Sequence, residues 1–345
     1  MTESGPTADA SPLPLMQLAT SFWQFKTLAA AHELGLFGHL AAKDGTTIDE
    51  LARDWDIDTR PAGMLLTGCA ALGLLDKSGQ RYRNSAMTRR YLIPGSEDYL
   101  GGLVTMFDKR LYAGWDELSR AVRTNRPTTW DPDRDRSLFE SADPRMVEMF
   151  WEAMHAMSRL TARTLGSALD LSGFRSLLDV GGGSGAFDIE LCRMYPELRA
   201  TVYDLAFVAE IAEANVAKAG LAERVSVAAG DFFRDPALPE GHDLHLFSMV
   251  MHDWPEERNR ELLAKSFAAL ESGGEVLLCE LLVNDERTGP VPAAMMSLNK
   301  LVETEGCNYT AAEYAQWLRD AGFRDPRAEY FDAVGANGVV RARKP

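Results

Sequence analysis

The sequence predicts an α/β chain in which a helical N-terminal half precedes a doubly wound parallel sheet. Three observations carry that expectation. After Gly173, short apolar runs alternate with amphipathic stretches, the pattern of strands joined by crossover helices. From Leu15 to about Leu92, apolar positions recur at three- and four-residue spacing, the period of a helix face. The run Leu178-Asp179-Val180-Gly181-Gly182-Gly183-Ser184-Gly185-Ala186 sets glycines where a strand would turn into a helix.

In order along the chain, residues 1–14 are polar, acidic and rich in small residues and proline, and read as a disordered tail. Residues 15–97 follow with Phe22, Phe25, Leu28, Ala29 and His32 on one helix face. Thr46-Thr47-Ile48-Asp49-Glu50 then supplies a capping-type helix start. Asp58-Thr59-Arg60-Pro61 opens a third helix, running to Leu72, with proline near its first position. A polar turn, Lys77-Ser78-Gly79-Gln80, leads to the strand-like Arg81-Tyr82-Arg83. Helix, turn, helix and hairpin make the layout of a winged helix, so a DNA-binding regulator is one function class to weigh. The residues oppose it. The would-be recognition helix, Pro61 to Leu72, carries no base-reading Arg, Asn or Gln, and its apolar surface reads as buried. Residues 1–95 hold nine basic side chains against ten acidic ones, so packing or dimerisation is the expected role.

Residues 98–172 read as mostly helical, broken at Asn125-Arg126-Pro127 and over Asp131 to Arg136. Met146, Met149, Phe150, Met154 and Met157 line one helix, as core packing or as a pliable substrate wall. Residues 173–345 hold the strand candidates: Leu177–Val180, Ala200–Tyr203, Val225–Val227, Leu244–Phe247 and Val276–Cys279. A helix from Thr310 to Ala321 and strands near Arg327–Tyr330 and Gly338–Arg341 close the chain.

Composition narrows the partners. The 345 residues carry a net charge of −15, which opposes a nucleic-acid partner, since phosphate binding needs a basic face. Charges break the apolar runs well short of the roughly 20 residues of a membrane span. The N-terminus lacks the basic start and apolar stretch of a signal peptide, so a cytoplasmic address is expected. The four cysteines and six histidines form no metal-ligand spacing, and no metal is expected.

The glycine run alone leaves the ligand open. Gly181-x-Gly183-x-x-Ala186 also fits a dinucleotide fingerprint, and Asp204, at the next strand end, suits the ribose of NAD or of S-adenosylmethionine. Three further features decide. Asp179 stands two residues before the first glycine, which suits a ligand ammonium rather than a pyrophosphate. Gly230-Asp231-Phe232-Phe233 puts a carboxylate and a ring where an adenine would lie. The fourth strand ends in Ser248-Met249-Val250-Met251-His252-Asp253-Trp254, at the carboxyl edge where ligands of such sheets sit.

Those three motifs, in that order and spacing, resemble the small-molecule O-methyltransferases that include plant caffeic acid, animal acetylserotonin and bacterial polyketide-tailoring enzymes. The resemblance runs from about Phe22 to Arg343. It implies a Rossmann-like catalytic domain that binds S-adenosylmethionine, and an N-terminal winged-helix element that makes a homodimer. It implies Gly181, Asp204, Asp231, Phe232 and Ser248 as cofactor contacts, joined by Asp179 and Gly183 from the motif itself. His252 matches the family's general base, a role that suits an imidazole facing a neutral phenol. Of the two glutamates that flank the base in plant members, one matches Glu280 and the other falls on Asn308; an amide there makes His252 a weaker base unless Glu303 or Glu305 substitutes. The family's acceptor pocket maps to Phe107, Trp151, Met154, His155, Met295, Asn299 and Glu303, walls that suit a small aromatic substrate. The expected reaction is O-methylation of a phenolic metabolite in bacterial secondary metabolism; methylation of carbon or nitrogen is the alternative within the family.

Overall fold

The computed structural model describes residues 11–131 and 144–345, and within the helix Pro144–Ala168 the side chains of residues 144–146, 148 and 149 are not described. The expected tail at 1–10, the polar stretch from 132 and the Met146 and Met149 side chains lie outside the described residues. A helix starts at Leu13, inside the stretch read as tail, because prolines near a helix start give up N–H groups that had no partner there.

The chain divides into two compact units, residues 11–108 and Lys109–Pro345. The first holds the helices Ser21–Glu33, Leu36–Ala42, Ile48–Trp55 and Thr59–Ala71, then a hairpin of β1 (Leu75–Ser78) and β2 (Arg81–Asn84). The capping box forms as expected: Thr47 accepts from the Glu50 N–H and the Glu50 carboxylate accepts from the Thr47 N–H. Arg81 donates to that same Glu50 at 2.9 Å, so the hairpin is tied to the cap. The core is Phe37, Leu40, Leu51, Leu66 and Tyr82. The would-be recognition helix is only half covered: Ala62, Leu66 and Cys69 are buried while Met64 is 61% exposed. With Leu15, Leu18, Phe22 and Trp23 it leaves an apolar surface open to solvent.

The second unit is built on a seven-stranded sheet. Its strands are β3 (Ser176–Val180), β4 (Arg199–Asp204), β5 (Val225–Ala229), β6 (Leu244–Ser248), β7 (Glu275–Glu280), β8 (Arg324–Tyr330) and β9 (Gly338–Arg343). They lie in the order β5-β4-β3-β6-β7-β9-β8. Side chains alternate across it. Leu177, Leu244, Leu246 and Leu277 enter one core, under the helices Pro144–Ala168, Ala186–Met194 and Ala206–Lys218. Leu178, Phe247, Val276 and Leu278 enter the other, under Glu256–Ala269 and Ala311–Asp320. Both faces are covered, which is why the strands read as continuous apolar runs. The expected doubly wound parallel sheet covers β3 to β7, and β9 extends it by pairing antiparallel with both β7 and β8. The β8–β9 link is too short for the crossover that parallel strands require.

The chain runs outward from β3 to β4 and β5, then returns to the other side of β3 with β6. The crevice at the carboxyl ends of β3 and β6 is therefore the topological switch point, where ligands of open α/β sheets bind.

Candidate active site

Every motif singled out in the sequence of this unit falls at that edge. Gly181, Gly183 and Gly185 adopt φ of +72°, +58° and +72°, which side chains other than glycine rarely take. Gly181 is constrained twice over, since a Cβ there would come within 2.8 Å of Val250 and 3.4 Å of the Phe232 ring. The loop thus brings Gly181, Val250 and Phe232 together from three strand ends.

Asp204 closes the loop. Its Oδ2 accepts from the Gly183 N–H at 2.8 Å and its Oδ1 from the Leu205 N–H at 2.7 Å. Burial pushes its carboxyl up to about 6 against the pull of those two N–H groups. Each oxygen keeps a lone pair, enough to accept a vicinal pair of ribose hydroxyls. Asp231, after β5, accepts from the Phe233 and Arg234 N–H groups through Oδ1, which leaves Oδ2 beside the Arg234 guanidinium at 3.5 Å. Phe232 stands edge-on to Phe233 and Trp254, at 4.8 and 6.1 Å between ring centres. Lys265 pins this turn through the carbonyls of Phe232, Phe233 and Asp235. Ser248 ends β6 with its hydroxyl buried.

Asp179 is buried under the loop, its carboxyl packed below Gly182, and neither oxygen has a hydrogen-bond partner. Asp188, on the helix that follows, is buried and equally unpartnered. Burial first, then the neighbouring carboxyl, raises Asp179 well above the usual carboxylate range, and burial pushes Asp188 up to about 7. Neighbouring buried carboxyls disfavour each other's ionised form, so a cation over the loop would relieve both. Positive-φ glycines with room only for backbone, a buried acid with acceptor capacity to spare, and orphaned carboxyl oxygens under the loop fit a cationic adenosine cofactor.

The second half of the site surrounds His252, on the 3₁₀ turn Met251–Asp253. Met249 enters that turn with φ of +55°, an uncommon backbone state for a side chain of its size. Glu280, the last residue of β7, is fully buried. Its Oε1 accepts from the Val250 and Met251 N–H groups at 3.1 and 2.9 Å. Its Oε2 lies 2.7 Å from His252 Nδ1, close enough for an ion pair although the angle is bent from that of a good hydrogen bond. A proton on Nδ1 facing Glu280 leaves Nε2 as the basic nitrogen, an assignment made from the neighbours rather than from a visible hydrogen.

One neighbour of His252, and that neighbour's own partner, have roles the sequence did not suggest. Asp253 Oδ2 lies 3.8 Å from Nε2, and Asp253 Oδ1 accepts from Lys300 Nζ at 3.0 Å. Lys300 is buried; burial pulls its ammonium down, while Asp253, Glu303 and Glu280 more than offset this and leave it above its ordinary value. The signal available was a lone lysine in the apolar run Met295-Met296-Ser297-Leu298-Asn299-Lys300-Leu301-Val302.

The other predicted residues have contacts of their own. Asn308 donates Nδ2 to the Leu281 carbonyl at 2.6 Å and so braces the segment after Glu280, while its Oδ1 is buried with no hydrogen-bond partner. His155 and Trp151 sit against the glycine loop. His155 Nδ1 lies 2.8 Å from Ser184 Oγ, and a Cβ on Gly183 would stand 3.1 Å from the Trp151 ring. Burial, with help from Arg159, holds His155 down to about 4, so it is neutral there. Asn299 is committed twice, accepting from Trp115 Nε1 at 2.7 Å and donating to Glu303 at 2.6 Å. Glu303 also lies 3.5 Å from Arg110, which removes it as a stand-in for the second glutamate. Met295 is 46% exposed on the same helix and Met154 is half-buried on Pro144–Ala168. Phe107 lies at the end of the first unit, on the π-helical turn Phe107–Leu111.

A cavity of about 500 Å³ lined by Asp243, Glu275 and Arg341 opens at the amino ends of the strands, the wrong edge for this chemistry. Among the described residues no cluster of three or more His, Cys, Asp or Glu has the arrangement of a metal site, and no helix is long and apolar enough to cross a membrane. The four cysteines are free thiols.

A glycine loop and a buried acid at one switch point suit an adenosine cofactor, and a histidine paired with a carboxylate stands at the neighbouring strand end. Comparison with known proteins carries this further. The O-methyltransferase domain matches residues 115–324, and the O-methyltransferase dimerisation domain matches residues 16–94. A 3-hydroxy-5-methyl-1-naphthoate 3-O-methyltransferase of Streptomyces sahachiroi is 50% identical, over 98% of this chain and 97% of its own. The N,N-dimethyltransferase OxyT of Streptomyces rimosus is 33% identical over 100% of this chain and 99% of its own. The crystal structure of human N-acetylserotonin methyltransferase in complex with SAM superimposes with a TM-score of 0.84 at 30% identity, covering 99% of both chains. The chain belongs to the O-methyltransferase family. It is an S-adenosylmethionine-dependent enzyme, and the residues of its glycine loop fit that cofactor.

Proposed function

We propose that the enzyme methylates a phenolic hydroxyl on a small fused-ring aromatic acid of the hydroxynaphthoate type, with His252 as general base. The observation that carries this is the Glu280–His252 pair beside the cofactor loop: an oxygen acceptor is poor while it keeps its proton, and a base on this spot removes it. The half-identical relative that acts on a hydroxynaphthoate supports the acceptor class.

S-adenosylmethionine, when bound, supplies a methyl group on a positively charged sulfur. Gly181 and Gly183 admit it against bare backbone, Asp204 accepts from its ribose, and Asp231 and Phe232 hold its adenine. As the acceptor oxygen takes that methyl group, its hydroxyl proton would pass to His252 Nε2. Glu280 stabilises the imidazolium so formed, because its carboxylate already faces Nδ1. Trp151 and His155 lie against the glycine loop.

The same proposal includes a homodimer formed through residues 15–95, whose exposed Leu18, Phe22, Trp23 and Met64 are too apolar to stay bare. It places the enzyme in the cytoplasm, where free thiols persist. The test is incubation with labelled S-adenosylmethionine and a panel of hydroxynaphthoates, simple phenols, amines and carbon acids, followed by mass analysis. An O-methylated naphthoate is expected. Methylation confined to nitrogen or carbon would replace the acceptor assignment with that of the family's other branches.

A further inference from the structure

The Nε2 side of His252 carries a carboxylate that the reaction does not need. Asp253 Oδ2 lies 3.8 Å from that nitrogen, beyond hydrogen-bonding distance yet close enough to reach it by a small side-chain rotation. What holds it back is Lys300, whose ammonium takes the other oxygen at 3.0 Å from a buried position on the helix Val291–Glu303. We propose that Lys300 is a positioning residue of methyl transfer: it keeps the Asp253 carboxylate off His252 Nε2, so that this nitrogen stays open to the acceptor hydroxyl. The inference rests on the reading of His252 as base.

Asp253 is largely buried, with a side chain only 14% exposed. A buried carboxylate stripped of its cation seeks another, because an unpaired buried charge is costly. The partner in reach is a protonated His252. Imidazolium held between Glu280 and Asp253 would be stabilised from both sides, and a nitrogen that already carries a proton cannot take one from the acceptor. Glu280 from β7 and Asp253 from its own turn face this imidazole, and Lys300, on the helix packed on that turn, is held by Asp253 within the field of Glu303 and Glu280. Glu303 is engaged with Asn299 and Arg110, so Lys300 is the cation left to restrain Asp253.

The two charges act with opposite sign, which makes the role testable. The base works only when neutral, so the acid limb of kcat/KM against pH follows the imidazole. Lys300→Met removes a cation and frees an anion, and should move the limb to higher pH by about one unit. Asp253→Asn removes the anion and keeps the cation, and should move the limb down. The double variant removes both charges and should fall between the two. Profiles are recorded on a neutral phenol, with cofactor affinity measured by calorimetry, which should stay within about twofold of wild type in all three. Limbs that stay in place, or shift in the same direction for both single variants, overturn the proposal. If Lys300→Met fails to bind cofactor through misfolding, Asp253→Asn and the double variant decide: removing the anion where Lys300 is absent should then give no further downward shift beyond that single variant. His252→Ala, run alongside, separates the two readings. Wild-type turnover in that variant overturns the base, and a dead His252→Ala with immobile limbs overturns only the role of Lys300.

Discussion

The glycine loop and the His252 turn stand at neighbouring strand ends, yet they are built from different material. The loop is backbone: three glycines at positive φ, and an acid that takes two main-chain N–H groups. The turn is side chain: an imidazole faced by Glu280 from β7 and by Asp253 from its own turn, with Asp253 held by a lysine 47 residues further on. A site made of backbone recognises a shape and tolerates little change in it. One made of facing charges is set by their balance. The comparison therefore predicts a split, with loop substitutions weakening affinity and turn substitutions slowing turnover.

The largest effect should come from the turn. His252→Ala should lower turnover by about 10²–10⁴-fold, the range for loss of a general base. Cofactor affinity by calorimetry should hardly change. An acidic phenol, already ionised at assay pH, should recover part of the loss. Equal losses of turnover and cofactor affinity would break the split.

Next comes the loop. Asp204→Ala should weaken S-adenosylmethionine binding by about 1.5–3 kcal/mol, the usual loss for hydrogen bonds to a charged group. Calorimetry should show no measurable affinity for NAD in either protein. Binding that survives the substitution intact would mean that the ribose is held elsewhere.

How legible each half was follows from the same contrast. The loop announces itself in a contiguous run, because each glycine answers a local backbone demand, and the strand ends that carry Asp204 and Asp231 fall at their apolar runs. Glu280 was legible through the family resemblance, as the match to a glutamate just after an apolar run. Lys300 and Asp253 were not, since nothing in the local pattern says that a lysine in an apolar helix will meet an acid 47 residues away. Asn308 shows the converse. Its position along the chain matched a glutamate of the plant enzymes, but its amide has gone to the Leu281 carbonyl. The antiparallel pairing of β9 was likewise hidden, because strand direction depends on connections rather than on composition.

That reassignment changes what Asn308→Glu should do. The substitution removes a donor from the Leu281 carbonyl and buries a carboxylate beside it. A loss of roughly 1–3 kcal/mol in stability by denaturant titration is expected, without a rise in turnover. Faster turnover with unchanged stability would show that position 308 faces the imidazole after all.

The smallest effect tests whether the loop half also carries a cost. Asp188 shares a buried pair with Asp179, and its carboxyl is pushed from an ordinary value of 3.8 up to about 7, chiefly by burial. A carboxyl whose folded-state pKa is raised contributes stability that is fully present below its unfolded value and is lost as pH rises through about 7. Asn carries no such charge. Asp188→Asn should therefore raise the melting temperature of the cofactor-free enzyme by a few degrees at pH 8, where one kcal/mol is worth about 2–4 °C, and by less at pH 5. Buried His155 and His245, held down to about 4 and 3, act in the other direction as pH falls below 6.5, so variant and wild type must be compared at the same pH. Scanning calorimetry at the two pH values decides. A gain at pH 5 equal to that at pH 8 would mean that packing, not charge, limits the loop. Turnover at saturating cofactor should stay near wild type, since the pair lies beneath the loop and touches neither His252 nor the acceptor.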